Sequence, residues 1–237
     1  MLFEAILFDM DGVVVDTHRS VTEFWQILAA EHQLELTQAD FQQHIYGCPM
    51  SHTFDILFPH FDDGQRQAIY ARIHAYEINL TYTEIPGVTA LLQALKRHGM
   101  PTALVTSADT WKVEAVLHQL GVADLFTTQV TVGEIERGKP HPDGYLLAAR
   151  RLQKPPERCL VFEDAVSGVK AAIAAGAACI GIQSPDMATA LLAAGSCYTV
   201  PDFTTVNLQI NPGSHNGHPT SLYLQVGTRL NLPLLVG

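Results

Sequence analysis

Short apolar runs alternate with helical patterns along most of the chain. Segments rich in branched apolar residues predict five strands, at residues 2–8, 102–107, 129–133, 159–164 and 178–183. Between them, apolar residues recur at helical spacing at positions 88–95, 113–120 and 166–173. Strands that alternate with helices predict an α/β fold, with a Rossmann-like parallel sheet covered on both faces.

Residues 16–83 interrupt this alternation. Four apolar stripes of helical spacing follow one another there without a clear strand, starting near Val21, Thr37, Met50 and Ile69. Thr37 and Asp40 have the spacing of a capping box at the start of the second stripe. We therefore predict an all-helical second domain, residues 16–83, inserted into an α/β core formed by residues 1–15 and 84–205.

The C-terminal residues 206–237 follow neither pattern. The stretch 211–220, NPGSHNGHPT, is rich in turn residues and lies between two segments of alternating apolar residues. A terminal hairpin and a loosely ordered tail both agree with this arrangement. No chemistry is predicted for the tail.

Composition and charge narrow the choice of partners. Of the 237 residues, 47% are hydrophobic and 16% are charged, which is typical of a soluble globular protein. The formal net charge of −10 argues against a nucleic acid or an anionic membrane as the main partner. A small anionic ligand would then need a local lysine or arginine, a metal ion or a helix N-terminus.

The location of the protein is predicted from its N-terminus and its cysteines. Glu4 and Asp9 interrupt the first apolar run, and no other run is long enough to span a membrane, so neither a signal peptide nor a membrane helix is expected. The cysteines are widely spaced and form no CxxC pair: Cys48, Cys159, Cys179 and Cys197. This usage favours reduced thiols in a cytoplasmic protein.

Two acidic pairs follow predicted strands. Asp9 and Asp11 end the first strand just before Gly12, and Glu163 and Asp164 end another. Taken singly, such residues commonly cap a turn or a helix. If both strands are central and parallel, however, the four carboxylates converge at the sheet edge where α/β folds bind ligands. They would repel one another there unless a hard divalent cation such as Mg²⁺ is bound.

Two further segments fit a phosphate group. Thr106 and Ser107 lie between a predicted strand and a helix, where hydroxyl and amide groups can hold an anion or simply cap the helix. Lys139 lies in the loop RGKPHPD between turn residues. It could neutralise a phosphoryl oxygen or orient a nucleophile, although a lone loop lysine is usually exposed to solvent.

These motifs, in this order, resemble the haloacid dehalogenase (HAD) superfamily. The stretches FDMDGVVVDT and VFEDAVSGVKAAIAAG are the specific matches, and the resemblance covers about residues 1–205. The helical insert is similar to the cap of the β-phosphoglucomutase-like subfamily. The tail from about residue 206 lies outside the resemblance.

The resemblance implies a role for each catalytic position. Asp9 would be the nucleophile that forms an aspartyl-phosphate, and Asp11 would act first as general acid and then as general base. Thr106 and the amide of Ser107 would hold the phosphoryl group. Lys139 would bridge Asp9 and the phosphoryl group. Phosphoryl transfer depends mainly on positioning and charge neutralisation, so these roles agree with the chemistry.

The resemblance also implies a Mg²⁺ site formed by Asp9, the backbone carbonyl of Asp11, Glu163 and Asp164. Dehalogenases of this superfamily act on carbon and lack the second aspartate and the metal. Asp11 together with Glu163 and Asp164 therefore favours chemistry at phosphorus. A phosphatase and a phosphomutase both satisfy this condition.

Two departures from the mutases favour a hydrolase. The position where the mutases carry a histidine is Val21, and the cap loop YGCPMSH has no arginine, unlike the S-R-x-x-S loop of the mutases. His18 and His52 are the histidines that could stand in. Because the loop lacks Arg and Lys, a second phosphate on the substrate is not expected. The expected substrate contacts are Thr17, Gly47, Ser51, His52 and Ser107.

The sequence thus predicts a cytoplasmic, Mg²⁺-dependent phosphatase of a small phosphorylated metabolite, such as a sugar or polyol phosphate. A β-phosphoglucomutase-type mutase is the alternative. A catalytically silent, ligand-sensing member of the fold is a remote alternative, since every catalytic carboxylate of the motifs is present. No nucleic-acid or membrane partner is expected, and the oligomeric state is not predicted.

Overall fold

A computed structural model describes residues 2–185, 187–211 and 221–236 of the chain. Its strands are β1 (Ala5–Phe8), β2 (Thr102–Val105), β3 (Thr128–Val130), β4 (Cys159–Glu163), β5 (Ala178–Ile182), β6 (Tyr198–Val200), β7 (Val206–Asn211), β8 (Ser221–Val226) and β9 (Leu230–Leu234). Its α-helices are α1 (His18–Glu31), α2 (Gln38–Asp40), α3 (Met50–Leu57), α4 (Asp63–Glu77), α5 (Val88–Arg97), α6 (Thr110–Leu120), α7 (Asp143–Arg151), α8 (Val166–Ala174) and α9 (Ala188–Ala194).

The first six strands form one parallel sheet in the order β3-β2-β1-β4-β5-β6. Phe8, the last residue of β1, stands in register with Leu104 of β2 and Phe162 of β4. The carboxyl ends of these three strands therefore meet at one edge of the sheet, where α/β folds place their ligands. The prediction of a Rossmann-like parallel core is confirmed.

Apolar residues cover both faces of this sheet. Along β1, Ile6 and Phe8 belong to one buried cluster, whereas Ala5 and Leu7 belong to a second cluster on the other face. Successive side chains of a strand point to opposite faces, so a strand buried on both sides must be apolar throughout. Burying a large apolar side chain such as Phe8 contributes roughly 1.5–3 kcal/mol, which allows the sheet to hold charged groups at its edge.

All five predicted strands are shorter in the structure, and local contacts explain the first and the third. The first begins at Ala5 because Phe3 pairs instead with Leu234 of β9. The third ends at Val130 because Thr131 caps a 3₁₀ turn, and its side chain and that of Glu134 cap each other's backbone amides. The local capping interaction therefore ends the strand before residue 133.

The helices predicted between the strands correspond to α5, α6 and α8. Gly121 ends α6 in the left-handed conformation, with φ of +66°, as its position in the sequence predicts. The short helices α7 and α9 and the three-residue strand β6 were not predicted, because short segments give a weak periodic signal. Within the described residues, every helix is too short or too polar to cross a membrane.

The helical insert contains α1 to α4 and has its own apolar cluster. Trp25, Phe54, Phe58 and Phe61 pack together there, with the rings of Phe58 and Phe61 stacked at 4.9 Å between centroids. The capping box of Thr37 and Asp40 is present as predicted. The helix that it starts continues as a π-helical turn. The division into a core and a cap with the bounds given above stays a prediction.

The C-terminal strands form an antiparallel sheet in the order β7-β8-β9. Leu224 and Val226 of β8 are fully buried and belong to the same cluster as Phe8. The far strand, β9, is anchored by a backbone hydrogen bond from Phe3 to Pro233. The turn-rich stretch of the sequence analysis falls, from residue 212 to 220, outside the described residues.

Candidate active site

Three carboxylates meet where β1 and β4 end. Asp9 directly follows β1, Glu163 is the last residue of β4, and Asp164 comes next. One carboxylate oxygen from each of them lies within 4.8 Å of those of the other two. We call these three residues the carboxylate floor. The parallel pairing of β1 with β4 brings them together although they are far apart in the sequence.

Lys139 supplies a positive charge to this floor. Its Nζ lies 2.5 Å from Asp9 Oδ1 and 2.7 Å from Glu163 Oε1, and it also donates a hydrogen bond to the carbonyl of Val105 at 3.2 Å. Burial alone would lower the pKa of Lys139, but the two carboxylates outweigh it and raise the pKa above its ordinary value. The lysine therefore stays charged, as a bridge to Asp9 requires.

Glu163 is fully buried and has several hydrogen-bond donors around it. Besides the Lys139 ammonium, the hydroxyl of Tyr145 donates to Oε1 at 2.5 Å, and the amides of Asp164 and Ala165 donate to Oε2. A side chain on Gly168 would collide with this carboxylate, since a Cβ there would lie 1.8 Å from Oε1. The glycine thus leaves the space that the carboxylate fills.

Asp164 occupies a comparable space beside Gly12. A Cβ on Gly12 would lie 2.0 Å from Asp164 Oδ2, and the glycine has a φ of +76° that other residues rarely adopt. Burial, followed by the charges of Asp9 and Glu163, raises the pKa of Asp164 well above its usual range. Burial likewise raises the pKa of Asp9 to about 7, against the opposing effect of Lys139.

The floor fits a hard divalent cation. Three carboxylates face the Lys139 ammonium there, and burial together with repulsion from the neighbouring carboxylates raises the pKa of Asp9 and of Asp164. Carboxylate oxygens are the ligands that such cations prefer. Asp9 and Asp164 offer the freer oxygens, because Lys139, Tyr145 and two amides already surround Glu163.

The carboxylate of Asp11 contacts residues outside the carboxylate floor. Asp11 Oδ1 accepts a hydrogen bond from Thr17 Oγ1 at 2.6 Å and lies 2.9 Å from Lys112 Nζ. Lys112 is paired in turn with Glu77, at 2.7 Å. The side chain of Asp11 is therefore not part of the carboxylate floor, so its predicted contribution to the metal site depends on its backbone carbonyl alone.

The residues predicted to hold the phosphoryl group lie beside this floor. Thr106 is buried, and its hydroxyl accepts a hydrogen bond from the amide of Ala108 at 3.1 Å. The hydroxyl of Ser107 donates to the carbonyl of Gly47 at 2.8 Å, so this side chain contacts the cap loop. Both residues border the same cavity as Asp9.

The cap loop lies directly on the loops of the core. Ser107 holds the carbonyl of Gly47, and Ser167 Oγ donates to the carbonyl of Tyr46 at 3.0 Å. Gly47 has a φ of +69°, and a Cβ there would lie 2.7 Å from the Cβ of Ala165 and from Ser167 Oγ. Only a glycine permits so close an approach.

A cavity of about 190 Å³ lies between the core edge and the helical insert. Asp9, Asp11 and Asp164 border it, and so do two of the predicted cap contacts, Gly47 and Ser51. The residues that the helical insert contributes include five aromatic side chains, which we call the aromatic wall: Phe24, Trp25, Tyr46, Tyr70 and Tyr76. The cavity therefore combines an acidic base with an apolar, aromatic side.

Two predicted cap residues have other surroundings. His52 lies outside the lining of the cavity, and its Nε2 is 3.2 Å from His44 Nδ1. Thr17 borders the cavity, but its hydroxyl is bound to Asp11. Among the histidines considered as stand-ins, His18 borders the cavity and stacks on the ring of Tyr46 at 4.1 Å.

Three functional candidates were missed by the sequence analysis: Tyr145, Lys112 and Glu77. Tyr145 follows the GKP motif by only a few residues, and an aromatic residue at the start of a helix there was the available signal. Lys112 interrupts the apolar stripe of α6 one residue before Val113. Nothing in the sequence around Glu77 marks it as different from the other acidic residues of the insert.

A sequence model of the family described as haloacid dehalogenase-like hydrolase matches residues 3–176. The chain belongs to this family. The resemblance drawn from its motifs is confirmed. Members of the family generally use a divalent metal, which agrees with the carboxylate floor.

Named relatives lie within the same family. Hexitol phosphatase A of Escherichia coli (strain K12) is 32% identical over 187 residues, covering 78% of this chain and 85% of the relative. The phosphorylated carbohydrates phosphatase of Thermotoga maritima is 33% identical over 178 residues, or 73% of this chain and 82% of the relative. The prediction of a HAD-type phosphatase is confirmed at the level of this family and these relatives.

A solved mutase shares the fold. The β-phosphoglucomutase of Clostridium difficile matches with a TM-score of 0.70, and the match covers 85% of this chain and 92% of the mutase chain. At 22% identity, this likeness shows the fold alone. It therefore does not favour mutase chemistry over hydrolysis.

Proposed function

We propose that this enzyme hydrolyses the phosphate ester of a small phosphorylated metabolite, such as a sugar or polyol phosphate, in a Mg²⁺-dependent reaction. The observation that carries the proposal is the buried Asp9 carboxylate, held by Lys139 at 2.5 Å at the base of a cavity that Asp11 also borders. The relatives named for hexitol phosphate and phosphorylated carbohydrates support the substrate class. A cytoplasmic location, predicted from the scattered cysteines, is part of the proposal.

The first half of the reaction transfers the phosphoryl group to Asp9. Lys139 binds Oδ1 of Asp9, which leaves Oδ2 to attack phosphorus. As the bond from phosphorus to the substrate oxygen breaks, Asp11 donates a proton to that oxygen, and an alcohol leaves. Thr106 and the amide of Ser107 hold the phosphoryl oxygens. Asp9, Asp164, Glu163 and the Asp11 carbonyl would hold Mg²⁺, which would supply positive charge to those oxygens.

The second half releases phosphate. Asp11, now ionised, removes a proton from a water molecule as the water attacks phosphorus of the aspartyl-phosphate. The bond from phosphorus to Asp9 Oδ2 breaks, which restores the carboxylate and frees inorganic phosphate. Lys139 keeps its contact with Asp9 through both halves, so the leaving carboxylate always has a cationic partner.

The charges around the cavity favour hydrolysis over mutase action. A mutase must bind a sugar bisphosphate, and its second phosphate needs a free cation. Among the described residues that border the cavity, Lys112 is the one ammonium group, and the carboxylates of Asp11 and Glu77 already neutralise it. Val21, at the position where the mutases carry histidine, is also part of the lining.

A screen of phosphorylated metabolites for released inorganic phosphate tests the proposal, with the Asp9→Asn protein as the blank. We expect release from one or more sugar or polyol phosphates in the presence of Mg²⁺, and none from the blank. The mutase alternative is tested by NMR with β-glucose 1-phosphate and a trace of the bisphosphate. Glucose 6-phosphate formed much faster than free phosphate would overturn the assignment as a hydrolase.

A further inference from the structure

A buried lysine lies beside the proposed general acid. Lys112 belongs to α6 of the core and is only 7% exposed. Its Nζ lies 2.9 Å from Asp11 Oδ1 and 2.7 Å from Glu77 Oε1. Glu77, the last residue of α4 in the helical insert, is 8% exposed. The three side chains form a continuous charged chain from the insert to the acid–base residue.

The charge of Lys112 is maintained by its neighbours. Burial alone would lower the pKa of the ammonium group, but the carboxylates of Asp11 and Glu77 raise it above its ordinary value. A buried ion pair adds little stability over apolar side chains of similar size, because desolvating the charges costs about as much as their attraction returns. The stripe of α6 around it is apolar, with Val113, Val116 and Leu117 buried. Stability alone therefore gives little reason for a lysine here.

Among the described residues, the two side-chain contacts on the Asp11 carboxylate fall on one oxygen. Thr17 Oγ1 donates to Oδ1 at 2.6 Å, and the Lys112 ammonium lies at 2.9 Å from the same atom. A general acid must present its proton to the leaving oxygen in one orientation. With Oδ1 occupied by two donors, Oδ2 is the oxygen that can carry the proton toward the substrate.

We propose that Lys112 is a positioning residue for Asp11, which holds Oδ1 so that Oδ2 faces the leaving-group oxygen, and that Glu77 holds Lys112 in this place. The inference rests on the proposed phosphatase function and adds the residues that orient its acid–base group. It also explains why the pair spans two regions. Since Glu77 belongs to the helical insert and Lys112 to the core, Asp11 is fully oriented only when α4 lies against α6.

Two substrates with different leaving groups distinguish a positioning role of Lys112 from a purely structural role. An alkoxide from sorbitol 6-phosphate needs a proton as it departs, whereas nitrophenolate from p-nitrophenyl phosphate does not. The ratio kcat/KM reports the steps through phosphorylation of Asp9 and excludes the later attack of water. A positioning defect at Asp11 should therefore lower kcat/KM for sorbitol 6-phosphate and leave that for p-nitrophenyl phosphate nearly unchanged.

The test compares the parent with Lys112→Met, Glu77→Gln and the double variant. We expect Lys112→Met to lose about 10–100-fold in kcat/KM on sorbitol 6-phosphate, below the roughly 10²–10⁴-fold of full acid–base help. On p-nitrophenyl phosphate the loss should stay within about threefold. Glu77→Gln should show the same pattern more weakly. The double variant should lose less than about twofold more in kcat/KM on sorbitol 6-phosphate than Lys112→Met alone, because Glu77 acts on Asp11 through Lys112.

A control variant and the parent protein distinguish failure of the positioning role from failure of the proposed phosphatase function. Lys96 pairs with Asp124 at 2.6 Å on the surface, so Lys96→Met removes an ion pair away from the cavity and should change neither rate. If the parent releases no phosphate from any ester, the proposed function itself fails. If the parent is active and Lys112→Met loses both substrates equally, or only raises KM, the positioning role is wrong. If Lys112→Met does not fold by circular dichroism, Glu77→Gln decides by the same ratio.

Discussion

The carboxylate floor borders, through Asp9 and Asp164, the same cavity as the aromatic wall, but the two regions differ in charge and in the elements that hold them. The floor gathers Asp9, Glu163 and Asp164 around one buried lysine, at the ends of central strands. The wall consists of uncharged rings on the helical insert. Phe24 and Trp25 belong to the buried cluster of the insert, and Tyr46 and Tyr76 pack against that cluster. In the proposed function, reactivity depends on charges that the sheet holds in place, and selectivity depends on a separate surface of side chains.

The difference predicts how changes in the two regions act. Changes in the floor should lower the rate for every substrate, since each phosphate ester uses the same charged groups. Changes in the wall should alter the order of preference among substrates and spare the chemical step. Four measurements test this division, beginning with the largest expected effect.

Replacing the nucleophile should have the greatest effect. We expect Asp9→Asn to lower the rate by about 10⁴-fold or more, because no other group can form the acyl phosphate. Circular dichroism should show an unchanged fold. Activity within about tenfold of the parent, equal to only ~1.4 kcal/mol of barrier, would contradict the assignment of Asp9.

Removing the metal should stop turnover almost as completely. The three carboxylates of the floor are hard to keep ionised together without a cation. Exhaustive chelation followed by phosphate assays should show no activity, and added Mg²⁺ should restore it. The Asp164→Asn protein should need more Mg²⁺ for half-maximal rate. A metal-free protein with full activity would show that the floor is not a metal site.

Asp11 should have a smaller effect that depends on the leaving group. We expect Asp11→Asn to lose roughly 10²–10⁴-fold on a sugar phosphate, because proton transfer in both halves is lost. On p-nitrophenyl phosphate it should release a burst of about one nitrophenol per site and then turn over slowly. An equal loss on both substrates without a burst would leave Asp11 with a structural or metal-binding role only.

The smallest effect on the rate is expected at the wall. Tyr70 borders the cavity from α4 and is 38% exposed, so removing its ring should cost little stability. We expect Tyr70→Ala to change the ratio of kcat/KM between two sugar phosphates by about tenfold. Its kcat on p-nitrophenyl phosphate should stay within about threefold of the parent. Tyr223→Ala in β8 serves as the control and should not alter the ratio.

Two results would contradict the division of roles between the carboxylate floor and the aromatic wall. If Tyr70→Ala lowered kcat equally for every substrate, the wall would take part in positioning the reacting groups. If a change in the floor altered only the order of substrates, the chemistry would lie elsewhere. Either outcome would break the division between reactive and selective surfaces.

The floor could be predicted from the sequence because its members follow strands. A buried parallel strand is a continuous apolar run, and the polar residue after it must lie at the carboxyl edge of the sheet. For this reason the sequence predicts Asp9, Glu163 and Asp164 at that edge. The end of α6 at Gly121 was predictable for a similar reason, since the signal is local in the chain.

The residues that were missed lie on helices and act across long separations. Lys112 is 35 residues from Glu77, and each looks like an ordinary charged residue of its own helix. Tyr145 reaches Glu163 only because α7 packs against the sheet. No periodic pattern records which faces of two helices meet, so these contacts required the tertiary structure.

The sequence by itself determined the alternation of the first five strands with α5, α6 and α8, the acidic residues at the sheet edge and the family of the chain. These follow from the apolar pattern and from motifs that are contiguous in the chain. Only the tertiary structure decided that Asp11 turns away from the floor to Lys112, that β9 pairs with Phe3, and that aromatic rings border the same cavity as Asp9 and Asp164. Packing between distant segments determines these features, because the free energy of each contact depends on what the fold brings beside it.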